Sequence, residues 1–514
     1  GNLSDYTFES SADGLTVTIT DLSSGDANSV TDVETLRFDD GDVQVSTDVN
    51  GLLLTGSPGA DTITVVGNIP VTVKGAEDSD TLTGGAGDDI FVGQSGDDVI
   101  SGGAGVDTVN FGGLREDFTF SVALDGTLTV TDTNNQTFLG ADALSQIETM
   151  VFDDGVLTVD TSADGNVTLS GSELSDPITV TSGSEGITIQ SFDGDDLIVG
   201  AEGDDTIDGG FGNDNLSGGG GVDTISGAAG DDTIDGGADG DNLFGGEGID
   251  TISGAAGDDI IDGAAGDDII DGGLGSDVAI FAGVQSNYTF TSSEDGLTVT
   301  VTDISTGDAD TVTDVETLRF DDGEVLVSQD VNGLVLTGSA GADTLKVVGD
   351  VPVTVLGGEG DDTIDGGLGN DNLSGGGGVD TISGAAGEDT IDGGADGDNL
   401  SGGEGVDTIS GAAGDDTIDG GADGDILSGG EGIDTISGGE GDDTIDGGLG
   451  DDDLFGDDGA DTILFSSGND TIDGGQGVDT IDFTNSTQGV TVDLGQPQAT
   501  RFSISGDDLR HAGD

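Results

Sequence analysis

The chain has 514 residues, and 107 acidic against 7 basic side chains give it a formal charge of −100. Such a charge repels nucleic acid and anionic membranes and attracts cations. With no cysteine and one histidine, disulfides are excluded, and zinc sites and a Ser–His–Asp triad are excluded in practice. The 101 glycines are too frequent for a helical face to persist and lack the period of three that collagen needs. No apolar run approaches the length of a membrane span. Strand and turn remain.

Residues 1–83 read as a β-rich spacer. DYTFESSADGLTVTITD alternates Thr, Val and Ile as a strand does, with Asp-Gly pairs as turns, and VTDVETLRFDDG follows. Residues 84–112 hold three nonapeptides in one register: GGAGDDIFV, GQSGDDVIS and GGAGVDTVN. Residues 113–190 are a divergent copy of the spacer, with DFTF, DGTLTVTD and IETMVFDDG in the same order. A second array, 191–282, contains ten nonapeptides. A third spacer, 283–356, repeats the first at a displacement of 282 residues, and fourteen further nonapeptides occupy 357–482. Residues 483–514 form a C-terminal segment resembling the start of another spacer. Each spacer enters its array through a degenerate nonapeptide (GSPGADTIT, GSELSDPIT, GSAGADTLK). The spacers are expected to be small β-rich units that cap the ends of the arrays. Phe111 and Phe281 close two arrays, and Phe118 and Tyr288 come seven residues later. Gly1 corresponds to Gly283, just past such a joint, so another array is expected upstream of residue 1.

The nonapeptide reads G-G-x-G-x-D-x-U-x. Position eight (U) is bulky and apolar in 26 of 27 repeats, the exception being Ala279, and position six is always aspartate. These are the candidate metal ligands: Asp89, Asp98 and Asp107 in the first array; Asp196, Asp205, Asp214, Asp223, Asp232, Asp241, Asp250, Asp259, Asp268 and Asp277 in the second; Asp362, Asp371, Asp380, Asp389, Asp398, Asp407, Asp416, Asp425, Asp434, Asp443, Asp452, Asp461, Asp470 and Asp479 in the third. Glycine lets loop carbonyls turn toward a common point. Aspartate adds a hard anionic oxygen, and Ca²⁺ takes six to eight oxygens. The x-U-x that follows is a short strand with its apolar residue pointing inward. One aliphatic side chain per nine residues buries too little to offset the ordering of nine backbone units. Without a cation the arrays should be disordered, and with one, binding energy becomes folding energy.

The nonapeptide resembles the RTX, or hemolysin-type, calcium-binding repeat of secreted proteins, and the spacer motif V-E-x-L-x-F-x-D-G resembles segments of large RTX exoproteins. The resemblance implies an all-β fold: parallel β-roll solenoids, two nonapeptides per turn, with calcium between stacked loops along both edges. It also implies type I secretion of an unfolded chain that folds outside the cell. If an array of n repeats encloses about n − 2 sites, roughly 20 Ca²⁺ are expected.

Several finer readings follow. Gly384–Ser410, Gly411–Ser437 and Gly227–Ser253 are near-identical blocks of three nonapeptides. In a turn of two, they place the same nonapeptide type on alternate edges, which suits a structural element better than a one-sided site; recent slippage explains the blocks as well. In GGADGD, position four is Asp239, Asp396 or Asp423, read as an extra ligand or, preferentially, as a weakened loop. Arg37 and Arg319 are read either as solvent-facing or as pairing with Glu34 or Asp39 in the first copy. Abundant paired carboxylates leave glycosidase-like chemistry open on spacing, with calcium ligands or solvated acids preferred. The function that fits best is a non-enzymatic, secreted calcium-binding structural protein of the cell surface or matrix: a surface layer, filament or adhesin extender. Its partners would be calcium and identical copies, without nucleic acid or membrane insertion. The alternative is the secretion and folding module of a hydrolase or toxin whose catalytic domain lies outside these residues.

Overall fold

A computed structural model describes residues 1–123, 125–134, 139–161, 166–182, 186–330, 333–484 and 501–505. Among them there is no α-helix, only strands, turns and three short 3₁₀ segments. Two compact units, Gly1–Ala265 and Gly266–Asp514, divide the chain.

In the first unit, each nonapeptide supplies one strand, and strands pair in parallel with the strand eighteen residues away. Thr206 stands beside Thr224, Asn215 beside Thr233 and Thr224 beside Asn242. Odd and even repeats thus build two facing parallel sheets, with two nonapeptides per turn. Along TISGAA (Thr224–Ala229), Ile225 and Gly227 are buried and their neighbours are not. The glycine leaves the roll thin enough for one aliphatic layer to fill. Ile207, Ile225, Leu243 and Ile261 come from one sheet and Leu216, Ile234 and Ile252 from the other, all buried.

The second and third spacers take a different place from the expected caps: they are threaded into the sheets, whereas Tyr6–Ser10, Thr16–Asp21 and Ala27–Thr31 of the first form a three-stranded sheet of their own. Val99–Ser101 pairs with Ala141–Ser145, which continues antiparallel through Leu128–Asp132 and Phe118–Val122. Phe118–Val122 then pairs in parallel with Pro177–Ser182, which opens the next array. In the opposite sheet, Thr108–Asn110 pairs with Thr149–Val151, followed by Val156–Thr161, Val167–Ser170 and Thr188–Gln190. Each sheet therefore gains three antiparallel strands without a break in pairing. The aromatic residues at the joint form its core, with the Phe111, Phe118 and Phe152 rings 5.2 to 5.5 Å apart.

The second unit repeats the plan. Ile269–Asp271 leads into Ala309–Thr313, and Val278–Ile280 into Thr317–Arg319. Parallel stacking resumes at Thr344–Lys346 and Thr354–Glu359. Phe281, Tyr288 and Phe320 form the corresponding aromatic cluster. Arg501–Ser505 pairs antiparallel with Asn469–Asp473; the rest of the C-terminal segment beyond residue 484, with His511, lies outside the described residues.

The arginines face solvent, as preferred, and the acids they meet are not Glu34 or Asp39. Arg37 meets Asp42 with both Nε and Nη2 at 3.0 Å, and Arg319 Nε lies 2.9 Å from Glu324. Glu34 and Asp39 precede the hairpin partner, whereas Asp42 and Glu324 stand directly across it. In the divergent spacer the same cross-strand pair is Val151 and Val156. The ion pairs are largely exposed and screened by solvent, so they add little to stability.

Because a single aliphatic fills each half-turn, Ile409, 1 % exposed, carries its layer alone. Ile409→Ala is expected to cost about 2–5 kcal/mol, read as a higher calcium concentration at the folding midpoint in circular dichroism; an unchanged midpoint would show that the layer is not what limits folding.

Candidate metal centres along the roll edges

The strand of each repeat starts immediately after position six, so the aspartate stands where the chain turns from loop into sheet. Of the 27 candidate aspartates, 26 are buried; only Asp479, in the last repeat, is exposed. In each unit they form ladders. Within an array, Oδ1 accepts a hydrogen bond from the backbone N–H eighteen positions earlier; the first aspartates of two arrays, Asp196 and Asp362, accept from the joint aspartates Asp176 and Asp343 instead. Asp196 N–H donates to Asp214 (2.8 Å), Asp205 to Asp223 (2.7 Å), Asp380 to Asp398 (2.8 Å) and Asp407 to Asp425 (2.8 Å).

In many of them the second carboxylate oxygen has no such partner. Oδ2 of Asp214, Asp223, Asp232, Asp241, Asp380, Asp398, Asp407 and Asp416 is buried without a hydrogen bond. A buried anionic oxygen left unpaired is costly. Position-one glycine opens the space it faces. A Cβ on Gly411 would collide with Asp416 Oδ2 and lie 2.6 Å from the carbonyl oxygen of Gly429, one turn on. A carboxylate oxygen and a carbonyl oxygen from successive turns thus converge there. Among the described residues no three acidic or histidine side chains group around one point, so a bound ion would draw much of its shell from loop carbonyls. Hard oxygens of this kind fit Ca²⁺ and give no ligand softer metals prefer.

Burial pushes these carboxyls up, backbone N–H donation opposes it, and aspartates a turn away push further in the same direction. Asp223, Asp232, Asp398 and Asp425 are raised to about 7 and Asp214 to about 6, against an ordinary 3.8. A folded-state pKa above the unfolded one means that stability is fully present below about pH 4 and is lost as pH rises through 6 to 7. In chelator, the chain is therefore expected to show β-sheet circular dichroism at pH 4 to 5 and to lose it by pH 8; order that increases with pH would contradict this. With calcium the direction reverses, since protons compete with the metal for the same oxygens.

The repeat pattern alone does not reveal how the spacers carry the ladders on. Asp98 N–H donates to Asp142 and Asp107 N–H to Glu148; Asp268 and Asp277 do the same with Asp310 and Glu316. The glutamates belong to the IETM and VETL motifs, whose recurrence is the available signal. A second, outer ladder uses position five. Asp204 accepts from Val222 N–H, Asp231 from Ile249, Asp361 from Val379 and Asp415 from Ile433, at 2.8–2.9 Å and exposed. The position-five acids thus hold neighbouring loops together as well as repelling one another. Asp239, Asp396 and Asp423 adopt φ of +74, +74 and +78°, and their side chains are exposed, away from the buried ladder. Asp396 and Asp423 follow strands of opposite sheets.

The family described as RTX calcium-binding nonapeptide repeat (4 copies) matches residues 74–109, 191–279, 356–463 and 466–484. No curated protein matches the chain. Among solved structures, the extracellular lipase LipA from Serratia marcescens is 21% identical over 53% of this chain and 37% of its own, with a TM-score of 0.17. A likeness at that score carries no argument about this chain. The matched repeats, their two-per-turn stacking and the unpaired buried carboxylates agree: the chain is an RTX-repeat protein, with calcium-binding nonapeptides wound into a parallel β-roll.

Proposed function

We propose that this chain is a secreted structural element of a cell surface or extracellular matrix, folded by calcium and without catalytic activity of its own. RTX repeats point to a secreted calcium-binding protein. The structural role rests chiefly on one observation: in each unit the pairing and the aspartate ladder run through the spacer unbroken. A spacer built to extend the roll suits a load-bearing element. The ligands would be the position-six aspartates from Asp89 to Asp479 with neighbouring loop carbonyls, holding roughly 20 ions in all. Extracellular modules bind calcium at roughly 10⁻⁴–10⁻³ M, which would keep the chain unfolded in the cytosol and suits export in that state.

Electron microscopy of the purified chain tests the assembly. Regular polymers or sheets with millimolar calcium, lost on adding EGTA, are expected. A dispersed monomer at every calcium and protein concentration would overturn the surface-assembly reading while leaving calcium binding intact.

A further inference from the structure

The degenerate repeats at the three joints carry a serine at position two, and a position-two N–H reaches Oδ2 in them as it does in Asp89 and Asp205 of the arrays. Their position-six aspartates, Asp61, Asp176 and Asp343, are buried, and Oδ2 is satisfied from within the chain. The residue at position two is serine, whose backbone N–H reaches Oδ2 at 2.5 Å in Ser57 and Ser172 and 2.6 Å in Ser339. The serine hydroxyl lies 3.3 Å from Oδ1 in all three.

The 3₁₀ segment of each spacer adds one more residue: Leu3, Arg115 or Gln285, each 1 % exposed. Its N–H is held by the second aspartate of the Asp-Asp-Gly turn: Asp40 at 2.7 Å, Asp154 at 3.0 Å and Asp322 at 2.9 Å. What the side chain brings varies. Leu3 is apolar. Gln285 donates to Asp343 Oδ1 at 2.8 Å and accepts from Thr344 N–H at 3.0 Å. Arg115 brings a full positive charge. Its Nη1 pairs with Asp176 Oδ1, Nε lies 3.6 Å from Asp154, and Nη2 donates to the Ser175 carbonyl at 3.3 Å.

A guanidinium is costly to bury unless it is paired. This chain has only seven basic residues among 107 acids, and Arg115 is the one buried basic residue among those described. It stands beside a position-six aspartate, with two carboxylates and a carbonyl around it.

We infer that Arg115 is a tethered cation that replaces a metal ion at this joint, so that the Asp176 turn closes without calcium. The joint then serves as a preformed template for the second array. Phe118–Val122 already pairs with Pro177–Ser182, and Asp176 N–H donates to Asp196, the first aspartate of that array. The inference concerns a site at which calcium is not required, so it stands or falls separately from the proposed surface role.

Hydrogen–deuterium exchange on the full chain in EGTA tests it. In the wild type, amides of 118–122 and 178–181 should remain protected by about 100-fold or more relative to an unfolded chain, while those of 215–256 exchange as unfolded. Arg115→Met should abolish the protection at the joint in EGTA, and Arg115→Lys, which keeps the charge, should retain it. The inference is overturned by a wild-type joint that exchanges as fast as the array, by R115M as protected as wild type, or by R115K as unprotected as R115M. Should R115M fail to order even with calcium, the wild-type and R115K profiles decide by the same criteria.

Discussion

Addition of EGTA to the calcium-loaded chain at pH 7.5 is expected to abolish most of its β-sheet circular dichroism and to enlarge its hydrodynamic radius to that of an unfolded polymer. The ladders place carboxylates one above another along both edges, and in Asp214, Asp223, Asp232, Asp398 and Asp416 one oxygen is out of water and unpaired. At that pH, Asp223, Asp232, Asp398 and Asp425, held near 7, lose the protons that would neutralise them. The one-residue-thick aliphatic layer cannot offset this. Sodium chloride shields exposed charges but screens buried ones far less, so 1 M NaCl should not substitute for calcium. A chain that keeps its sheet content in EGTA and dilute buffer would show that the metal does not hold the roll together. The transition should be cooperative within each unit, since each turn rests on its neighbours, as in other solenoids.

The second large effect is steric. Gly432, at position four of its repeat, has φ of +149°, and a Cβ there would collide with the backbone carbonyl oxygen of Gly414 in the adjacent turn. Backbone has no rotamer with which to yield. Gly432→Ala should therefore cost about 1–3 kcal/mol in backbone strain and about 1–3 kcal/mol more in overpacking. Calcium titration followed by circular dichroism should show a higher midpoint and a smaller folded amplitude. Gly25→Ala is the control. Its φ is +76°, and nothing lies within 4 Å of the new methyl group. The cost there is limited to the left-handed conformation, about 1–2 kcal/mol. Equal effects from the two substitutions would mean that the stacking of position four is not a constraint.

Much of this was legible in the sequence because the repeat is short and its chemistry is local. Aspartate at every ninth place, with an aliphatic two residues later, names the buried carboxylate and the core in one pattern. The stacking of residue i on residue i + 18 is not local, and it came from family resemblance; no feature of one nonapeptide states how many fill a turn. The second and third spacers were read as strands correctly but misplaced as caps. Alternation identifies a strand without identifying its partner, and theirs lie on both sides in the roll. The same reason explains Arg37: Glu34 and Asp39 are near in sequence, but a hairpin brings Asp42 opposite. Arg115 carried no signal at all. An arginine after Gly-Gly-Leu looks like any surface arginine until the turn at Asp154 and the joint at Asp176 enclose it.

The ladder also has a direction. Within an array the N–H of each aspartate, as in Asp362, Asp380, Asp398, Asp416 and Asp434, is received by the carboxylate eighteen residues later. A turn laid down in order from the N-terminus has its donors exposed until the next turn arrives to receive them. A turn added ahead of one already in place finds its acceptor waiting. Either order of assembly forms one such bond per added turn, so what the direction sets is the ends: the last turn of an array is left with an aspartate N–H to satisfy and the first with a carboxylate oxygen.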